Sequence, residues 1–182
     1  SDVCSSDLIT VAIMLTTLLV IQSSGSAIKS RSIMGDIKAV KEFIVTGKQL
    51  TVDFIKDIKQ AISELTHMPS DLMGQFNKIL ADYENTVMEL FTRIEEVLLN
   101  DLTHFNFGLI VKHAEELFVK PMIRETKECL DKVRELLKEC GEEGMGCIMR
   151  IENLLFQYTQ DMRAAYDKML YELGVSQIKF HN

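Results

Sequence analysis

The chain has no tryptophan and only two prolines, and Asn-x-Ser/Thr occurs nowhere in its 182 residues. Without that triplet there is no acceptor for N-linked sugar. Because Pro69 and Pro121 are the only residues that forbid a backbone donor, long uninterrupted helices are open to most of the chain. The compact signatures of catalysis are missing too: there is no G-x-S-x-G elbow, and no glycine-rich phosphate loop follows a strand-like run. Basic side chains are the minority, 20 Lys and Arg against 27 Asp and Glu, for a net charge of −7. That balance argues against a phosphate-reading surface, so nucleic acid is not an expected partner.

What the chain does have is one apolar run near its start. Leu8 to Ile21 is uncharged and mostly apolar, and the small polar stretch Gln22 to Ala27 follows, with Gly25 and Ala27 at the spacing of a signal-peptidase site. Fourteen residues are short of the roughly 20 that span hydrocarbon, so residues 9–27 are expected to be a secretory signal peptide and not a stable membrane anchor. Residues 1–8 read differently. Ser1 to Leu8 holds neither Met nor a basic residue and back-translates as TCA GAC GTG TGC TCT TCC GAT CT, the end of a common sequencing adapter. These residues are expected to be foreign to the gene, Cys4 included. The mature part, 28–182, suits one domain.

Within that part the apolar residues recur at helical spacing. Ile33, Ile37, Val40, Ile44, Thr51, Phe54, Ile58, Ala61 and Leu65 share one face, with Gly47 in the single gap, where the helix is expected to bend or split. Met68-Pro69-Ser70-Asp71 ends it. From Asp71 to Leu99, Leu72, Phe76, Ile79, Tyr83, Val87, Leu90, Ile94 and Val97 form a second stripe, and Phe105 and Phe107 in the following connection are expected to plug one end of the core. A third helix is read from Gly108 to Cys140, with Ala114, Leu117, Met122, Cys129, Val133 and Leu136 inward and a kink near Pro121. Gly141 to Gly146, with three glycines, reads as a tight turn, and a fourth helix runs from Cys147 to a cap at Gly174, followed by a loose tail from about residue 175. Four segments with short links predict an all-α, antiparallel up-down-up-down bundle. Charge favours pairing the first two, since residues 28–66 sum to +2 and residues 70–108 to −5.

Three cysteines lie in the mature part. In a secreted chain an odd count implies one pair and one leftover thiol. Cys140 and Cys147 flank the glycine turn and are expected to form a disulfide. Cys129, about 16 Å from Cys140 along one helix, is expected to stay free or to bridge a homodimer.

Candidate chemistry is sparse. A di-metal bundle needs two mid-helix E-x-x-H motifs, yet only Glu64 and His67 match, His113 and Glu116 run in reverse, and His104 sits in a turn. No catalytic residue, metal or cofactor is expected. The methionines are the one surplus, and Met34, Met73, Met122, Met162 and Met169 fall on or beside the buried stripes. Their adaptability suits an apolar ligand as well as ordinary core filling. The functional expectation is therefore a secreted, non-catalytic bundle that binds lipid or another hydrophobic molecule. The alternative is a secreted protein-interaction factor, a helical signal or host-directed effector, with a dry core.

Overall fold

The computed structural model describes residues 32–175. The expected signal peptide, the foreign leader and the tail beyond Val175 lie outside the described residues. About 90% of the structure is helical, arranged as an all-α four-helix bundle with no strand among the described residues.

The first helix, α1 (Ile33–Ser63), starts where the Ser32 hydroxyl accepts from the Gly35 amide at 3.3 Å, with Asp36 in its first turn. It crosses Gly47 without a break. The alternative of a split at Gly47 gives way to the single helix that the unbroken spacing favoured, and what faces the glycine explains it: a Cβ there would lie 2.4 Å from the ring of Phe91. Gly47 makes room for a neighbour's ring. The second helix, α2 (Ser70–Thr103), begins directly after Pro69, whose fixed φ leads into a helix that its side chain cannot cap.

The third rod is continuous but not uniform. It comprises α3 (Phe107–Ala114), a π-helical turn (Glu115–Val119) and α4 (Lys120–Lys138). The interruption expected at Pro121 is this wider turn, in which the Lys120 amide reaches back five residues to the Glu115 carbonyl just ahead of the proline. The extra residue rotates the buried face. Phe118 and Val119 are buried where the simple helical period pointed to Leu117, which is half-buried; Met122, Cys129 and Val133 are buried as expected, and at the end of α4 Leu137 is fully buried and Leu136 half-buried.

The last helix, α5 (Gly141–Glu172), begins six residues earlier than its sequence suggested. The expected turn from Gly141 to Gly146 is corrected to a reversal at Glu139 and Cys140 with only Gly141 left-handed, at φ 67°. Glu142 and Glu143 favour the helix, because carboxylates in a first turn face the positive end of its dipole. Gly144 has a packing role: a Cβ on it would lie 1.9 Å from the Leu137 carbonyl oxygen of α4.

Cross-bundle pairs run in opposite senses. Along α1 and α5, Phe43 meets Tyr166, Thr51 meets Tyr158 and Glu64 meets Arg150. Along α2 and the third rod, Asp101 meets His113, Phe91 meets Phe118 and Tyr83 meets Thr126. An aromatic layer holds one ring from each rod, with Phe43 5.8 Å from Phe91, 5.4 Å from Phe118 and 5.9 Å from Tyr166 between centroids.

Candidate functional site

Three places gather polar or reactive side chains, and a fourth exposes apolar ones. At mid-bundle, Thr51 of α1, Tyr83 of α2, Thr126 of α4 and Tyr158 of α5 form a hydrogen-bonded relay. Its proton order follows from its end. The Thr51 hydroxyl donates to the Gly47 carbonyl at 2.9 Å, so it accepts from Tyr158 at 2.9 Å. Tyr158 then accepts from Tyr83 at 3.3 Å, and Tyr83 accepts from Thr126 at 2.7 Å. Phe54 stacks on Tyr158 with centroids 4.2 Å apart and rings nearly parallel. Burial pushes the Tyr158 phenol up to about 12 and lifts Tyr83 well above its ordinary range, so both stay neutral hydroxyls. Every member has a partner, which makes the cluster a structural clamp.

The cysteines do not form the expected bridge. Cys129, Cys140 and Cys147 are all free thiols. Because α5 starts at Gly141, Cys147 sits roughly 9 Å up the helix axis from the reversal instead of opposite Cys140. Cys129 is buried, which corrects its expected availability to a second copy. Burial pushes the Cys129 thiol up to about 12 and Cys147 up to about 11; burial, with Glu139 and Glu143 nearby, raises Cys140 as well. Such thiols are poor nucleophiles at neutral pH.

The five methionines are not brought together. Met122, Met162 and Met169 are buried in the core, Met73 is half-buried, and Met34 stands 70% exposed at the start of α1. Beside α4 and α5 a cavity of about 20 Å³, lined by Leu130, Val133, Leu137, Ile148, Ile151 and Leu155, has room for about one water and none for a lipid chain.

Glu64 and His67 also part company. Glu64 accepts from Gln60 and Arg150, which hold its carboxyl below the usual range, and His67 is exposed. Among the described residues no cluster of three or more His, Cys, Asp or Glu could hold a metal. One His–carboxylate pair went unforeseen. The His113 imidazole donates from Nδ1 to buried Asp101 at 2.6 Å, tying α3 to the end of α2 across the intervening turn. Asp101 and His113 are twelve residues apart on either side of a turn, and that spacing was the available signal. No hydroxyl or thiol among the described residues bonds to this imidazole, so the pair lacks the nucleophile that a triad requires.

The fourth place is the turn itself. The Asn106 amide donates to Asp101 O at 2.8 Å and the Phe105 amide to Leu102 O at 3.2 Å, the paired bonds of a Schellman ending. α5 ends in the same way, with Val175 N–H to Leu170 O and Gly174 N–H to Tyr171 O. The left-handed position is Gly174 in one and Phe105 in the other, at φ 70° and 58°. Phe105 therefore does not plug the core as expected: the left-handed backbone turns its side chain outward, 71% exposed, with the Phe107 ring 6.4 Å away and half-buried.

Compared with known proteins, the chain matches no family model, no curated protein and no solved structure. No helix among the described residues is long and apolar enough to cross a membrane.

Proposed function

We propose that the chain is a secreted, non-catalytic protein that binds lipid or other apolar matter with its outer surface, and holds no ligand between its helices. The observation that carries this reading is Phe105: a bulky aromatic side chain is kept in solvent by a backbone conformation that costs a non-glycine residue about 1–2 kcal/mol. Strain of that kind persists where it serves a purpose. The filled core supports the other half of the reading, since Met122, Met162 and Met169 occupy the interior themselves. The raised thiols of Cys129 and Cys147 fit the non-catalytic part. Secretion rests on the Leu8 to Ala27 pattern, and N-terminal sequencing of protein from the medium tests it, with a start near Ile28 expected.

Native mass spectrometry and vesicle flotation together test the binding mode. Flotation with lipid, combined with a ligand-free mass after mild extraction, is the expected result. A stoichiometric fatty acid or other apolar molecule retained in the folded chain would place the ligand inside and sink the surface reading. A second reading, a protein-interaction factor, is favoured by Met145, Met149 and Phe156, which are exposed along one stripe of α5 and suit a partner's helix. Absence of flotation with any lipid would favour it.

A further inference from the structure

Surface charges are paired on one side of the bundle and unpaired on the other. The third rod and α5 join theirs, as in Lys120 with Glu115, Arg134 with Asp131 and Lys168 with Glu172. On the outward faces of α1 and α2 the charges are sorted by sign instead. Along α1, Lys41, Val45, Lys48, Val52, Lys56 and Lys59 recur at three- and four-residue steps, so they share one stripe. Val45 is 69% and Val52 40% exposed, Lys48 is half-buried, and the other three lysines are exposed. No carboxylate falls on this stripe: Asp36 is buried, Glu42 meets Lys38 at 3.7 Å, and Asp53 and Asp57 follow the flank of Glu64, which meets Arg150 of α5. Along α2 the same spacing lines up Asp82, Asn85, Glu89, Thr92 and Glu96, all exposed. Among the described residues, neither the four lysines nor these three carboxylates form an ion pair.

The two stripes are in register. Gly47 stands against the Phe91 ring, and further along α1 a cleft joins Lys56 and Lys59 to Glu84, so α2 runs antiparallel to α1. Counting from Gly47 and Phe91 at 1.5 Å per residue puts Lys41 level with Glu96, Lys48 with Glu89 and Lys56 with Asp82, each to within roughly 2 Å along the axis. The cations of α2 fall at other levels, Lys78 with Gln60 and Arg93 with Val45, where α1 presents no lysine. Glu84 and Glu95 are half-buried and share the side of α2 nearer α1, so the face as a whole carries both signs.

We propose that the chain forms a two-fold symmetric dimer through this face, with α1 of each copy lying on α2 of the other. The proposal goes beyond the surface-binding reading above and does not depend on it. A two-fold axis parallel to the helices exchanges α1 with α2 and leaves every level unchanged. Lys41 then meets the partner's Glu96, Lys48 the partner's Glu89 and Lys56 the partner's Asp82, and symmetry forms the same three pairs a second time. Val45 and Val52 stand between the lysines and give the seam its apolar contact. A second copy is the favoured occupant because it carries the opposite charges at the matching spacing, which any other acidic partner would have to reproduce. Exposed pairs contribute little singly, so the dimer is weak and sensitive to salt.

Charge reversal in two halves tests the arrangement. In sedimentation velocity at about 20 mM salt, the wild-type chain is expected to pass from monomer to dimer as its concentration rises, and at about 500 mM salt to remain monomeric. Lys41→Glu with Lys56→Glu sets acid against acid, and Asp82→Lys with Glu96→Lys sets base against base. Each double variant alone should therefore self-associate about tenfold or more weakly than wild type. Mixed in equal amounts, the two restore opposite charges in both halves of the interface, and the mixture should dimerise to within about threefold of wild type. Both variants stay net acidic, four charges to either side of the wild type's −7, so overall attraction does not drive the mixing. All four positions are exposed, and far-UV circular dichroism with a urea midpoint near wild type establishes that the variants are folded. A mixture that dimerises no better than its components overturns the proposal, because the two stripes then do not face each other. Double variants that dimerise like the wild type overturn it as well, since the copies then meet elsewhere. A wild type that stays monomeric at low salt and every concentration also overturns it, and leaves the α1 stripe to an acidic partner of another kind.

Discussion

Replacing Gly47 with alanine sets two effects of known size against each other. Alanine in a helix interior is better than glycine by about 0.8–1 kcal/mol, so propensity alone forecasts a more stable protein. Packing forecasts the reverse. The new Cβ would sit 2.4 Å from Cε1 and Cζ of Phe91, where carbon atoms ordinarily rest at about 3.5–4.0 Å. Phe91 is fully buried, and its ring is held 5.8 Å from Phe43 and 4.9 Å from Phe118, so moving it by more than an ångström disturbs the whole aromatic layer. Overpacking of that kind costs about 1–3 kcal/mol, and losing the layer's edge contacts adds to it. The expected net result is a loss of about 1–2 kcal/mol, read as a lower urea midpoint at unchanged slope and a melting temperature lower by roughly 3–8 °C. Adding Phe91→Leu to Gly47→Ala should cost less than the two changes summed, with a coupling of about 1 kcal/mol or more. A Gly47→Ala protein with a raised midpoint would refute the reasoning, since the ring could then not be locked against α1.

Three further outcomes are expected. Phe105→Gly should raise stability by about 1 kcal/mol in urea titration, because glycine adopts the left-handed conformation without strain and no core contact is lost. Thr51→Val should lower stability by about 1–3 kcal/mol by leaving the Tyr158 hydroxyl without its acceptor, while Thr51→Ser costs less; a Thr51→Val protein near wild type with Thr51→Ser destabilised would show that the methyl and not the hydroxyl matters. Asp167 is pushed up to about 6 by burial, against a smaller opposing pull from Arg163. A carboxyl raised in the folded state binds its proton more tightly there, so its contribution is most favourable below about pH 4 and is lost as pH rises through about 6. Asp167→Asn should remove that decline and stabilise the protein at pH 7 by about 1–2 kcal/mol, roughly half of what the full shift would give, with urea midpoints across pH 4–7 as the measurement.

The inward faces of the long helices were legible in the sequence because a period of three and four residues is set by the helix itself. Val40, Ile44, Phe54, Ile58, Phe76, Tyr83, Val87, Ile94, Ile151, Leu155 and Met162 are buried where that period put them. What escaped depended on geometry between elements or on a local departure from the period. Leu117 was chosen over Phe118 because a π turn shifts the face and leaves no composition signal. Gly141 to Gly146 looked like a loop because glycine is weak in helices, yet the close approach of Gly144 to the Leu137 carbonyl and the two glutamates of the first turn outweigh propensity. Phe105 looked like a core residue because it is aromatic, and only the Schellman hydrogen bonds reveal that its backbone points it outward. The pairing of Asp101 with His113 and the meeting of Tyr83, Thr126, Thr51 and Tyr158 require the bundle to be assembled before they exist.

That last requirement has a kinetic side. The hydroxyl chain draws one member from each of the four rods, from Thr51 near the start of the described chain to Tyr158 near its end. Thr51 keeps its bond to the Gly47 carbonyl wherever α1 forms, but a partly assembled bundle that covers the Tyr83 or Tyr158 hydroxyl before its partners arrive shuts that hydroxyl away from water unbonded and is penalised. Half-built states are thereby made unfavourable relative to both the open chain and the finished bundle. The relay therefore works as a checkpoint on assembly: its bonds reward only the arrangement in which the first and last helices have found each other, and unfolding is driven toward a single all-or-none step.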